Sequence, residues 1–101
     1  MSDLYPRVVI HPQAIDNYRV VLEDDGLGIE IGSIGIQHGS AGAEFWAWGI
    51  DTVIPMGEAE ARGRGSDRGD CMKQFRAAWD RFSSDPARLA EFLKAKRKRL
   101  G

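Results

Sequence analysis

The apolar residues of this chain follow a period of two across residues 18–54 and a period near three and a half from residue 71 onward. The first spacing puts side chains on alternate faces of a strand, and the second gathers them along one side of a helix. A chain that switches period once folds as a strand half followed by a helical half. With 101 residues it has material for one modest core and not for two.

In residues 18–23, Tyr18, Val20 and Leu22 share one face while Arg19, Val21 and Glu23 share the other. Asp24-Asp25-Gly26 reads as a turn. Residues 28–37 read as a second strand whose apolar parity slips, from Ile29 and Ile31 to Ile34 and Ile36. A bulge near Gly32-Ser33 accounts for the slip, because one extra residue re-aims every later side chain. His38-Gly39-Ser40-Ala41-Gly42 is a flexible hairpin loop. A third strand spans residues 44–51, with Trp46, Trp48 and Ile50 opposite Phe45, Ala47 and Gly49, and runs on toward Ile54 until Pro55 stops it. Val8-Val9-Ile10 offers a short edge strand. Strands joined by such short loops pair antiparallel.

The helical half begins after a small, charged, glycine-rich stretch, residues 57–66, which reads as a flexible loop. Asp67 suits an N-cap, and Asp70 sits where its carboxylate meets the free N–H groups of the first turn. At 100° per residue, Cys71, Met72, Ala78, Trp79 and Phe82 fall within about 60° of Phe75 and form one apolar stripe. Ser83-Ser84-Asp85-Pro86 ends that helix and starts another, with Asp85 as cap and Pro86 in first position. The second helix presents Leu89, Phe92, Leu93 and Leu100 on one side. Lys96 falls in the middle of that side, so the last turn is expected to leave the core and fray. The fold class is therefore α+β: a three- to four-stranded antiparallel sheet packed against a C-terminal helix, followed by a second short basic helix. Residues 1–93 form the domain and residues 94–101 a basic tail.

Charge is divided along the chain. Residues 1–62 carry ten acids and three bases, and residues 63–101 carry eleven bases and five acids, leaving a net charge of −1. Such an asymmetry can mark a nucleic-acid surface, and the near-cancellation equally fits two halves that dock on each other, within one chain or across a dimer. No apolar run approaches the roughly 18 residues that cross a bilayer. The first residues lack the basic-then-apolar layout of a signal peptide, and a single cysteine excludes an internal disulfide. A cytoplasmic protein without membrane attachment is expected.

Candidate chemistry is sparse. Gly63-Arg64-Gly65-Ser66-Asp67-Arg68-Gly69 has arginines that would favour an anion. Its glycine spacing matches neither the dinucleotide nor the P-loop fingerprint, and Asp67 and Asp70 already occupy the helix N-terminus. Cys71 lies on the apolar stripe and reads as a buried, inert thiol. His11 and His38 each lack a second ligand at metal spacing. Ser40 is not on a nucleophile elbow, and Asp24-Asp25 is a turn. No catalytic, cofactor or metal site is expected, and the chain reads as a non-enzymatic protein.

Two surfaces stand out instead. The third strand carries aromatic residues on both faces while one helix can cover only one, which makes Trp46, Trp48 and Ile50 candidates for binding a protein partner or a second copy. Lys94, Lys96, Arg97, Lys98 and Arg99 crowd five bases into six residues, more than a helix dipole needs, and are candidates for gripping phosphates.

The stretch Ile31-Gly32-Ser33-Ile34-Gly35-Ile36-Gln37, then Phe45-Trp46-Ala47-Trp48-Gly49-Ile50-Asp51, then Phe75-Arg76-Ala77-Ala78-Trp79 and Phe82, resembles a set of small bacterial proteins of uncharacterised function. The likeness covers residues 18–93 and implies no activity. A looser similarity, at the level of fold, is to the arm-binding modules of phage-type integrases, in which a three-stranded sheet backed by a helix enters a DNA groove. The present strands differ from those in bearing Glu23, Glu30, Glu44 and Asp51 with hardly any Lys or Arg. The expected function is that of a small protein-interaction or regulatory module that self-associates. The alternative is a nucleic-acid accessory protein acting through its basic C-terminal helix.

Overall fold

A computed structural model describes residues 3–8, 17–24 and 26–100. Five strands form one antiparallel sheet in sequence order: β1 (Asp3–Val8), β2 (Asn17–Asp24), β3 (Leu27–His38), β4 (Glu44–Ile50) and β5 (Arg62–Gly65). A single helical turn, α1 (Glu58–Ala61), precedes β5, and α2 (Arg68–Ser83) and α3 (Pro86–Leu100) follow it. The α+β class and the antiparallel sheet beneath α2 agree with the sequence reading. Val9, Ile10, His11 and Asp25 lie outside the described residues.

The parity slip in β3 has the expected cause. Val20 pairs with Gly32 and Val21 with Glu30, so Ile31 is the extra residue of a β-bulge, slightly earlier than Gly32-Ser33. The bulge puts Ile29, Ile31 and Ile34 into the same buried cluster with Val20, Leu22, Trp48 and Ile50. The strand ends where the ladder ends: Asp51 donates one further backbone bond to Ile31, and residues 52–57 leave the sheet.

The helix α2 lays Cys71, Phe75, Ala78, Trp79 and Phe82 on this face of the sheet. Its N-terminus is capped as expected, with Asp67 accepting from the Asp70 backbone N–H at 2.8 Å. Asp70 in turn accepts from the Ser66 N–H at 2.8 Å. Phe75 sits directly over Gly32. A Cβ at Gly32 would come within 2.5 Å of the Phe75 ring and collide with the Gly49 carbonyl oxygen, so only a glycine lets the helix approach there.

In α3, Asp85 accepts from the N–H groups of Ala87 and Arg88. Phe92 is fully buried against Trp79 and Phe82, with ring centroids at 5.3 and 5.5 Å. Beyond Lys96, Arg97 and Lys98 are exposed, but up to that point the helix stays on the core. Ala95 packs on it, and Lys96 donates to Asp51 at 2.5 Å. A lysine on the apolar side is retained because a carboxylate from the end of β4 is there to receive it. Accordingly no structural break separates residues 94–100 from the rest of α3.

Residues 57–66 correct the expectation of a flexible loop. They form α1 and β5, and Arg88 of α3 clamps them with a bidentate pair to Glu60 and a bond to the Pro55 carbonyl. The Arg88–Glu60 and Lys96–Asp51 pairs join the basic half of the chain to the acidic half, which is where part of the charge asymmetry is spent.

Candidate binding groove

The register assigns every side chain of β4 to a face. Trp46, Trp48 and Ile50 pair across the sheet with Ile36, Ile34 and Gly32, on the side packed by α2. Trp48 and Ile50 are buried there, and Trp46 is half-buried against the same cluster. Trp48 meets Phe75 edge-on at 5.9 Å, and its indole N–H donates to the Gln74 side-chain carbonyl at 2.9 Å. The expectation that Trp46, Trp48 and Ile50 form a partner-binding surface is therefore corrected for Trp48 and Ile50: α2 takes that side of the strand. Among the described residues, the one large hydrophobic side chain that stands exposed is Leu27, beside the β2–β3 turn.

The reason lies in β5. Its sequence alternates Arg62, Gly63, Arg64, Gly65, which is itself a period of two. The glycines face α2: a Cβ on Gly63 would stand 2.7 Å from the Trp48 indole nitrogen, and one on Gly65 would stand 2.7 Å from the Cys71 sulfur. Bare backbone on β5 makes the space that Trp48 and Cys71 fill. Cys71 is buried, and burial followed by the nearby Asp70 and Asp67 carboxylates pushes its thiol up, away from the reactive thiolate.

The arginines are thereby turned to the opposite face. Cross-strand pairing sets Arg62 beside Gly49 and Ser33, and Arg64 beside Ala47 and Gly35, with Asn17 and Arg19 of β2 at the far ends of these rows. Small side chains in the middle and long ones at the sides leave a groove of about 500 Å³, lined by Ser33, Ala47, Gly49, Arg62 and Arg64 among others. The Arg64 guanidinium lies 4.0 Å above the Phe45 ring. No carboxylate among the described residues pairs with Arg62 or Arg64.

At the other end of the groove the charges are consumed internally. Arg19 donates to Glu30 at 2.9 Å and to both oxygens of Asp51, which also receives Lys96. Burial works to raise the Asp51 carboxyl, but the hydrogen bonds and charges of Arg19 and Lys96 outweigh it and hold the group below the ordinary aspartate range. A depressed carboxyl pKa adds stability that is complete above the unfolded value and is lost as pH falls through the folded one. Urea midpoints measured from pH 7 down to pH 2.5 should therefore fall in the acid range, and Asp51→Asn should flatten that fall. An unchanged acid limb in the variant would show that the pair does not bind Asp51 as described.

The basic run is divided by the helix. Lys96 is spent on Asp51, while Lys94, Arg97 and Lys98 are exposed; of Arg99 only the backbone is described. His38 and Glu44 approach to 3.8 Å at the exposed β3–β4 turn. Among the described residues no three His, Cys, Asp or Glu side chains are grouped to hold a metal ion, and no helix is long and apolar enough to cross a membrane.

No protein-family model, curated protein or solved structure matches this chain.

Proposed function

We propose that this chain is a non-enzymatic protein-interaction module that takes an acidic peptide segment of a partner across the face of β4 and β5 turned away from α2. One observation carries the reading: Arg62 and Arg64 project from an edge strand into an open groove, with no carboxylate of the described residues to neutralise them. Two positions along a strand span about 6.7 Å, the spacing of alternate side chains in any extended peptide. A peptide with acids two residues apart can thus meet both guanidiniums at once. Phosphate backbones suit this face less well. Affinity for them is built from many charge contacts, and base stacking needs open aromatic faces. Among the described residues the groove has two cations without a carboxylate partner, and its Phe45 is already covered by Arg64.

The test is the affinity of a fluorescein-labelled peptide with glutamates at alternate positions, measured by anisotropy at low and moderate salt. Arg62→Glu with Arg64→Glu should weaken binding at least about 10-fold, since each lost charged hydrogen bond is worth roughly 1.5–3 kcal/mol. Both side chains are exposed, so melting should stay close to that of the parent. Equal binding by the double variant, or preference for a single-stranded oligonucleotide lost on replacing Lys94, Arg97 and Lys98, would overturn the proposal in favour of phosphate recognition by α3.

A further inference from the structure

A second cleft of about 490 Å³ adjoins the groove and shares Thr52 and Arg62 with it. Its other walls are Val53, Ile54, Pro55, Met56, Glu58 and Ala61. Here the chain leaves the sheet after β4 and returns through α1. Val53 and Met56 pack against the core from below yet stay partly exposed, so the cleft offers apolar surface to whatever lies beside Arg62. Its shape is held from behind, because Arg88 of α3 binds both the Pro55 carbonyl and Glu60, and Glu60 accepts from the Gly57 N–H at 3.2 Å. A preformed wall costs a ligand little ordering.

We infer that this cleft is the specificity subsite of the groove, taking one apolar side chain of the partner peptide next to the acidic residue held by Arg62. The inference rests on the proposed reading of the groove as a peptide site. The chemistry runs in one direction: Arg62 on the shared wall selects a carboxylate, and Val53, Pro55 and Met56 select an apolar neighbour. Glu58 at the rim disfavours a second acid at that position. The recognised segment is thus mixed, a leucine-like residue adjoining alternate acids, and a purely acidic peptide is an incomplete ligand.

The experiment compares three labelled peptides on the full chain. One has alternate glutamates and serine at both ends, the second has leucine in place of the N-terminal serine, and the third has leucine in place of the C-terminal one. One of the leucine peptides should bind about 10-fold more tightly than the serine peptide, the scale of burying part of one aliphatic side chain. Met56→Gln keeps the length of that side chain while making its end polar, and should remove most of the leucine advantage and leave the serine peptide's affinity unchanged. Equal affinities for all three peptides, each still lost in the Arg62→Glu/Arg64→Glu variant, would overturn the subsite and leave the groove standing. Failure of all three to bind would overturn both.

Discussion

Phe75→Ala is expected to destabilise the protein by about 3–5 kcal/mol, and to lower the melting temperature by roughly 15 °C or more. Phe75 is fully buried where α2 packs on β3 and β4, over Gly32 and edge-on to Trp48. Removing the ring leaves a cavity beside the Gly32 backbone and the Trp48 indole. The sheet hydrogen bonds hold the first and the Gln74 side chain holds the second, so neither closes in freely. The loss therefore sits toward the upper end of the range for an aromatic truncation. Such a loss is a large part of the stability of a domain this size. An unfolding free energy from chemical denaturation within about 1 kcal/mol of the parent's would show that α2 does not pack on this face.

Gly32→Ala should be nearly as damaging although it adds a single methyl group. The new Cβ would press on the Phe75 ring from one side and on the Gly49 carbonyl from the other. The ring could yield only by displacing α2, and the carbonyl only by distorting the β3–β4 ladder. A cost of about 2–3 kcal/mol follows, at the high end for overpacking. Gly49 is the control. A Cβ there meets its nearest neighbours at 3.7 and 3.9 Å, an ordinary contact, so Gly49→Ala should fold with near-parental stability. If Gly32→Ala melts like Gly49→Ala, the close approach of α2 at this point is wrong.

Much of this arrangement could be read from the chain because it rests on periodicity. The three central strands, the bulge in β3, the stripe on α2 and the Asp67 and Asp85 caps each leave a local signature, and each formed at or beside it, the bulge one residue early. The fifth strand was hidden because glycine is a poor strand former and the segment carries no apolar side chain, although Arg62-Gly63-Arg64-Gly65 keeps the strand period. The glycines serve Trp48 and Cys71, tertiary neighbours that no local propensity rule reveals. For the same reason the buried side of β4 could not be decided from aromatic content, since Phe45 and the two tryptophans compete for it. Gly32, Gly63 and Gly65 decide it by giving α2 and Trp48 room on one side only. Lys96 misled in the opposite sense. A charge on an apolar stripe signals an exposed turn unless a distant acid receives it, and Asp51 is 45 positions away.

The groove is thus a by-product of how the core is filled. Bare positions on β5 face the helix, so the long cations must face away, over a floor of Ser33, Ala47 and Gly49. The most direct measurement of this account is a proton–nitrogen correlation spectrum of the labelled chain titrated with the alternating glutamate peptide. Resonances of Phe45, Ala47, Gly49, Arg62 and Arg64 should move together and saturate, with the Trp48 indole N–H and the buried amides of α2 left in place. Shifts confined to Lys94, Arg97 and Lys98, or a Trp48 indole that moves while the β5 amides do not, would contradict it.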